Sequence, residues 1–343
     1  MNSQFISDSA AKGAAFLDQK VNPKSLNKVK KSSTSNTSST SKDLGGINPA
    51  LTLHQTSTKA TPEIDPDSLV IITETPKGEE RKSLLIDSKA AQVLKESLQG
   101  FLAHDIKSQT WHKFSGSHWE PLESPQLADN VLIELIYKGT GDLGFKSAYK
   151  NGIKSLLCDS AMLPLPEIDN SKLPFKNGLL DLSIKKLESI TPGNAQTWCL
   201  PYDYKTGVDC PKIKAWLLQA VDQDKETVNF LRAWMAAVLR GRADLQKFLH
   251  LKGSSGTGKG TFMRLLTALI GQTNTVSTSL DQLEQNRFEA AALYNKRLAV
   301  ISESDKYGGS INNLKAITGQ DHIRLERKHQ QQAGSFVFQG LDV

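Results

Sequence analysis

Apolar residues recur along this chain at two periods, and the first 66 positions show neither. The run "KVKKSSTSNTSSTSKDLGG" is rich in Ser and Thr, carries lysines and has almost no large apolar group. Such a segment cannot bury enough surface to offset the entropy of ordering, so residues 1–66 are predicted to be a disordered basic tail that serves as a tether. Periodic patterning starts near Leu69. "SLVIITETPKGEERKSLLI" predicts two short strands around Pro76–Gly78. "DSKAAQVLKESLQGFLAHD" has helical spacing, with Asp87 as the expected N-cap. "TWHKFSGSHWEPL" predicts a hairpin in which Trp111 and Trp119 flank Ser115, Gly116 and Ser117. Helical spacing returns in "QLADNVLIELIYKG" and "FKSAYKNGIKSLLCDSA". A hairpin is predicted to turn at Asn177-Gly178. Two helices follow, "CPKIKAWLLQAVD" and "KETVNFLRAWMAAVLRG", the second stopped by Gly241.

From Asp244 onward strand and helix patterns alternate. "LQKFLHLKG" predicts a strand, "TFMRLLTALIG" a helix ended by Gly271, "KRLAVISES" a strand and "NLKAITG" a helical segment. "IRLERKHQQQAGSFVF" predicts a long hairpin. The expected organisation is therefore a tail over 1–66, an α+β accessory domain over 67–243, and an α/β domain with a parallel sheet over 244–343.

Composition narrows the function classes. At 343 residues and 38% apolar content the chain can form two buried cores, and a net charge of +6 is compatible with an anionic partner such as nucleic acid. Cys158, Cys199 and Cys210 form no C-x-x-C pair and have no His at zinc spacing, so reduced buried thiols are expected. No apolar run reaches the roughly 18 residues that span a bilayer, and the N-terminus has no signal-peptide pattern. A soluble intracellular protein is expected. Trp111, Trp119, Trp216 and Trp234 are read as core residues rather than base-stacking platforms.

The stretch "GSSGTGKGT", from Gly253 through Ser254, Ser255, Gly256, Thr257, Gly258, Lys259 and Gly260 to Thr261, carries the chemistry. It stands between a predicted strand and a predicted helix. Glycines there let backbone N–H groups turn onto phosphate oxygens, the helix N-terminus adds a positive dipole, and Lys259 would reach the β- and γ-phosphates. A loop of this kind usually has a Mg²⁺-binding hydroxyl after the lysine. Here that position is Gly260, and Thr261 offers a hydroxyl one residue later, for the α-phosphate or for a metal held through water. The strand "LAVISE" ends in Glu303, a carboxylate placed to hold Mg²⁺ through water or to polarise an attacking water.

In order, "HLKGSSGTGKGTF", "NKRLAVISES" and "NNLKAITGQDHIRLERKH" resemble the helicase module of phage and plasmid primase–helicases of helicase superfamily 3. Upstream, "WHKFSGSHWEP", "LPFKNGLLDL" and "YDYKTGVDCPKIKAWL" resemble the domain that precedes that motor, so the likeness runs from about residue 85 to the end. The resemblance implies an AAA+-like P-loop ATPase that acts as a homo-hexameric ring on single-stranded DNA, with ATP and Mg²⁺ and with replication partners such as a primase, in the cytoplasm of a bacterial or phage-infected cell. Lys259 carries over as the phosphate lysine and Glu303 as the acid of the second motif. Where the family often has two adjacent acids, the first here is Ser302, leaving Glu303 or Asp305 to act. Lys328 and His329 match the Lys-His pair on a hairpin that grips DNA in the ring channel. The chain reaches Val343 before the family's sensor Asn and arginine finger, and no primase catalytic part precedes the motor. A truncated helicase with weakened nucleotide binding is therefore expected, and a DNA- or nucleotide-binding, ring-assembling fragment is the alternative. "GKGT" also occurs in nucleoside monophosphate kinases, but those place the loop near the N-terminus, and here some 250 residues precede it.

Overall fold

The computed structural model describes residues 61–159, 161–286, 288–301, 307–326 and 334–343. It is a mixed α/β structure with several small sheets. Most of the predicted tail lies outside the described residues. Its end does not: Ile64 is buried against Leu69, in the space that Gly139 leaves open, so the accessory core starts a few residues earlier than expected.

Strands β1 (Val70–Glu74) and β2 (Glu80–Leu84) form the antiparallel ribbon predicted around Pro76–Gly78. Helix α1 (Asp87–Leu98) follows. Its N-cap is Ile86, with no side-chain cap, so Asp87 is the first helical residue and not the cap. The Asp87 carboxylate turns instead against Gly152, where a Cβ would collide with it. An antiparallel meander of β3 (Leu102–Asp105), β4 (Thr110–Phe114) and β5 (Trp119–Pro121) pairs Phe114 with Trp119 across the predicted turn. Helix α2 (Pro125–Thr140) is capped by Ser124, which accepts from the Gln126 N–H, and α3 (Ser147–Asp159) packs beside it. Leu94, Leu98, Leu132, Ile136, Ile153 and Leu157 join these helices in one core.

A second meander comprises β6 (Lys172–Phe175), β7 (Gly178–Asp181) and β8 (Lys186–Glu188). Phe175 pairs with Gly178, so the turn residues are Lys176 and Asn177, one position earlier than predicted. Gly178 serves the strand rather than the turn, because a Cβ there would lie 2.6 Å from the Glu188 carbonyl oxygen. Asn177 docks the turn by bonding both the N–H (2.8 Å) and the C=O (3.1 Å) of Tyr204.

Helices α4 (Pro211–Ala220) and α5 (Lys225–Arg240) come next, α5 capped by Asp224 through the N–H groups of Glu226 and Thr227. After the glycine loop, α6 (Lys259–Ile270), β9 (Thr275–Thr278), α7 (Leu280–Gln285), β10 (Leu298–Ile301), α8 (Asn312–Gly319), β11 (His322–Leu325), β12 (Gly334–Val337) and β13 (Leu341–Asp342) follow. Strand β10 lies between β13 and β9, and all three run parallel. The strand expected in "LQKFLHLKG" does not form. The Leu249 N–H donates to the Asp342 carbonyl at 3.1 Å, and β13 is only two residues long, too short to extend a ladder. Strands β11 and β12 are the arms of the predicted hairpin. Leu217, Val228, Leu231, Trp234 and Val238 share one core with Phe262, Leu266, Ile270, Leu298 and Val300, so the core beneath the loop draws on residues to both sides of position 244.

Trp111, Trp119 and Trp234 are buried as expected, and Trp216 is partly buried. Trp198 is buried too, with the Arg297 guanidinium 4.4 Å above its ring. Burial pushes the thiols of Cys199 and Cys158 up to about 11. Cys210 departs from the expectation of burial: it is exposed, as the N-cap of α4.

Gly241 ends α5 in the left-handed conformation, φ +59°, and a Cβ there would collide with the Arg297 guanidinium. Gly241→Ala should therefore lose roughly 2–4 kcal/mol, the backbone strain and the collision together. Gly78→Ala, at φ +79° with nothing within 4 Å, should lose only about 1 kcal/mol. Denaturant unfolding midpoints compare the two directly.

Candidate nucleotide and nucleic-acid site

The loop from Gly253 to Gly258 is exposed except at its last glycine, and Lys259 is half-buried where α6 begins. Gly256 at φ +82° and Gly258 at φ +93° both sit in the left-handed region, which turns the chain tightly around its own backbone. A Cβ on Gly258 would lie 3.3 Å from the Trp216 ring and 3.7 Å from Ala220, so α4 backs the loop closely. The Thr257 hydroxyl donates to the Ser254 carbonyl at 2.9 Å.

Lys259 folds back across the loop. Its ammonium donates to the carbonyls of Gly253 and Ser254, each at 2.8 Å. Gly258 is the N-cap of α6 and provides no side-chain acceptor. The first-turn N–H groups, which have no partner inside any helix, therefore point out of the loop beside a cation. Left-handed glycines, uncapped amides and a tethered ammonium fit a phosphate group.

Magnesium ligands are sparser. Gly260 supplies none, and the Thr261 hydroxyl accepts from Arg264 Nη2 at 3.0 Å. Among the described residues no group of three or more His, Cys, Asp and Glu converges to hold a metal ion. Ser302, Glu303 and Asp305 lie outside the described residues. Strand β10, the central strand of the parallel sheet, runs to Ile301 just before them. Lys328 and His329 also lie outside the described residues, between the described arms β11 and β12. Two open concavities lie away from the loop. One of about 570 Å³ is bounded by Leu84, Asp87, Phe145 and Tyr149 in the accessory region. Another of about 500 Å³ runs along the body of α6 by Arg264, Thr267, Gly271 and Thr275.

A contact that sequence reasoning missed holds the root of the hairpin. The turn between β3 and β4 reaches the far end of the chain. Asp105 accepts from the Lys107 N–H (3.0 Å) and the Ser108 hydroxyl (2.6 Å), and Ser108 Oγ lies 2.6 Å from the Tyr294 hydroxyl. His112, fully buried, meets the Thr110 carbonyl through Nδ1 at 3.2 Å. A carbonyl only accepts, so in the neutral ring Nδ1 carries the proton and Nε2 accepts from Asn295 Nδ2 at 3.2 Å. The Ser335 N–H donates to the Lys107 carbonyl at 3.2 Å, and a Cβ on Gly334 would lie 2.6 Å from the backbone of Ser108. Tyr294 also meets Phe336 edge-on at 5.4 Å. Ser108 and Tyr294 stand 186 positions apart in the chain, and Lys107 and Ser335 lie farther apart still, so no local pattern could have announced these contacts.

Burial pushes the Tyr294 phenol up to about 12, so it remains neutral and able to donate throughout the working pH range. Among the described residues no helix is long and apolar enough to cross a membrane.

Comparison with known proteins adds family context. Residues 91–222 match the family described as D5 N terminal like, and residues 251–340 match a family of unknown function, DUF5906. An uncharacterized mitochondrial protein, ymf21 of Marchantia polymorpha, is 29% identical over 123 residues, covering 32% of this chain and 68% of that protein. Two apo structures of the NrS-1 C-terminal region are each 18% identical and cover 70% of this chain, with TM-scores of 0.47 and 0.46. The chain spans about half, 52%, of each of those solved chains.

Tyr294→Phe keeps the ring contact and removes the hydroxyl, leaving Ser108 and Asp105 short of a partner. It should lower stability by about 1–2 kcal/mol. Amide exchange should rise at Ser335 and in β12 more than in α6, and equal exchange in both would show that the contact does not hold the hairpin root.

Proposed function

We propose that this chain is a primase–helicase of the phage type acting in DNA replication, in which the Gly253–Thr261 loop binds ATP for a helicase motor; the match of residues 91–222 to the family described as D5 N terminal like supports that placement. The observation that carries this reading is Lys259, held on the Gly253 and Ser254 carbonyls at the mouth of an uncapped helix. An entering triphosphate offers that ammonium stronger, charged acceptors than two neutral carbonyls. The first-turn amides then receive the oxygens that the lysine does not reach.

In this reading Lys259 draws on the β- and γ-phosphates, and the parallel sheet with α6 forms an AAA+-like P-loop core of helicase superfamily 3. A bound Mg²⁺ would neutralise charge on the phosphates. Thr261 and Glu303 are the residues proposed to hold it through water, and Glu303 would also orient the attacking water. Lys328 and His329, between β11 and β12, would grip the backbone of single-stranded DNA. Neighbouring copies would close a hexameric ring, and a primase would act beside it in the cytoplasm.

Lys259→Ala should reduce binding of a fluorescent ATP analogue by about a hundredfold or more, the loss of a charge-assisted phosphate contact. Undiminished affinity in that variant sinks the ATP reading. ATP hydrolysis by the wild type should rise when single-stranded DNA is added. Replacing Lys328 and His329 together by Ala should remove that stimulation and flatten the salt dependence of DNA binding.

A further inference from the structure

Gly260 stands where a phosphate-binding loop ordinarily supplies a metal-holding hydroxyl, and another group reaches over that position. Arg264 follows Gly260 by four residues, so the two project from the same face of α6. Long helical side chains lean toward the helix N-terminus, which carries the Arg264 guanidinium back over the first turn. Its Nη1 lies 3.5 Å from where a Cβ on Gly260 would stand, and its Nη2 donates to Thr261 Oγ1 at 3.0 Å. The side chain is exposed, and among the described residues it forms no ion pair with a carboxylate. The first turn of α6 therefore presents two cations, Lys259 folded over the loop and Arg264 over the vacant side of Gly260.

We infer that Arg264 is a phosphate-binding residue of the nucleotide site, and that it supplies part of the charge neutralisation that a hydroxyl-held divalent cation supplies elsewhere. This rests on the reading of the loop as an ATP site and extends it to how the phosphates are held. A guanidinium is planar, always charged and able to give two parallel N–H donors to one phosphate. It is also a like charge to any metal ion placed beside it, which raises the cost of holding a cation at the same spot. Both effects lower the dependence of nucleotide binding on divalent metal. A purely structural helix bond between Arg264 and Thr261 would affect stability but not the metal dependence.

Equilibrium binding of MANT-ATP to the full chain, in excess Mg²⁺ and separately in EDTA, tests the inference. Wild type should bind in both media. Arg264→Ala should weaken binding in EDTA by about tenfold or more, with a smaller loss in Mg²⁺, and Arg264→Lys should fall between. A serine at position 260 meets only ordinary contact distance, so the double variant Gly260→Ser with Arg264→Ala can be built without strain. It should regain affinity in Mg²⁺ and not in EDTA. Circular dichroism melting separates a folding defect from a binding defect, and Arg264→Lys gives a second reading if the alanine variant unfolds. Wild-type affinity in EDTA for both Arg264 variants, or a double variant indifferent to Mg²⁺, overturns the role of Arg264. If wild type binds no MANT-ATP, or Lys259→Ala binds as well as wild type, the ATP reading itself fails and the inference goes with it.

Discussion

An ammonium ion held by the carbonyls of its own loop is the interaction on which the candidate site depends. Lys259 can reach Gly253 and Ser254 only because Gly256 and Gly258 accept left-handed backbone and bring the loop's start back over the helix. The helix must then stay where it is. Phe262, Leu266 and Ile270 are buried with Leu298, Val300 and Leu341, and each such side chain contributes about 1.5–3 kcal/mol of burial. Packing of that strength aims the uncapped N-terminus of α6 outward, with two cations at its first turn and Trp216 behind the loop.

The accessory region is structurally continuous with the core beneath the loop. Helices α4 and α5 lie in the same core as α6, and the β3–β4 turn reaches Tyr294, Asn295 and the first residues of β12. The root of the hairpin is set by a side-chain network in which Asp105, Ser108 and Tyr294 satisfy one another. Buried polar groups are costly when left unpaired, so such a network prefers one arrangement over nearby ones. Any movement of the hairpin relative to the accessory region must break or carry along these bonds.

Local chemistry made much of the fold legible. The β4–β5 hairpin, the stop of α5 at Gly241, the end of α6 at Gly271 and both arms of the β11–β12 hairpin follow from period and turn residues. The errors have local causes too. Strand β9 reads Thr-Val-Ser-Thr and α7 spans six residues, too polar and too short for a periodic signal. Asn177-Gly178 looked like a turn pair, but Glu188 claims Gly178 for the strand and Tyr204 claims the Asn177 side chain. Asp87 looked like a cap, but its carboxylate packs against Gly152. In the site, the loop was readable because its nine residues are contiguous. Arg264 was readable in principle, one helical turn beyond Gly260, but its place over that glycine emerges only with the side-chain direction.

By itself the sequence determined the position of the glycine-rich loop and its lysine, the order of most elements and the likeness to primase–helicases, because each rests on residues near one another along the chain. Tertiary structure decided which strands pair with β10, that α5 shares a core with α6, that Arg297 lies over Trp198 and that Ser108 meets Tyr294. Those outcomes depend on contacts between residues tens to nearly two hundred positions apart. Their energies come from burial and polar pairing that exist only once the chain has closed on itself.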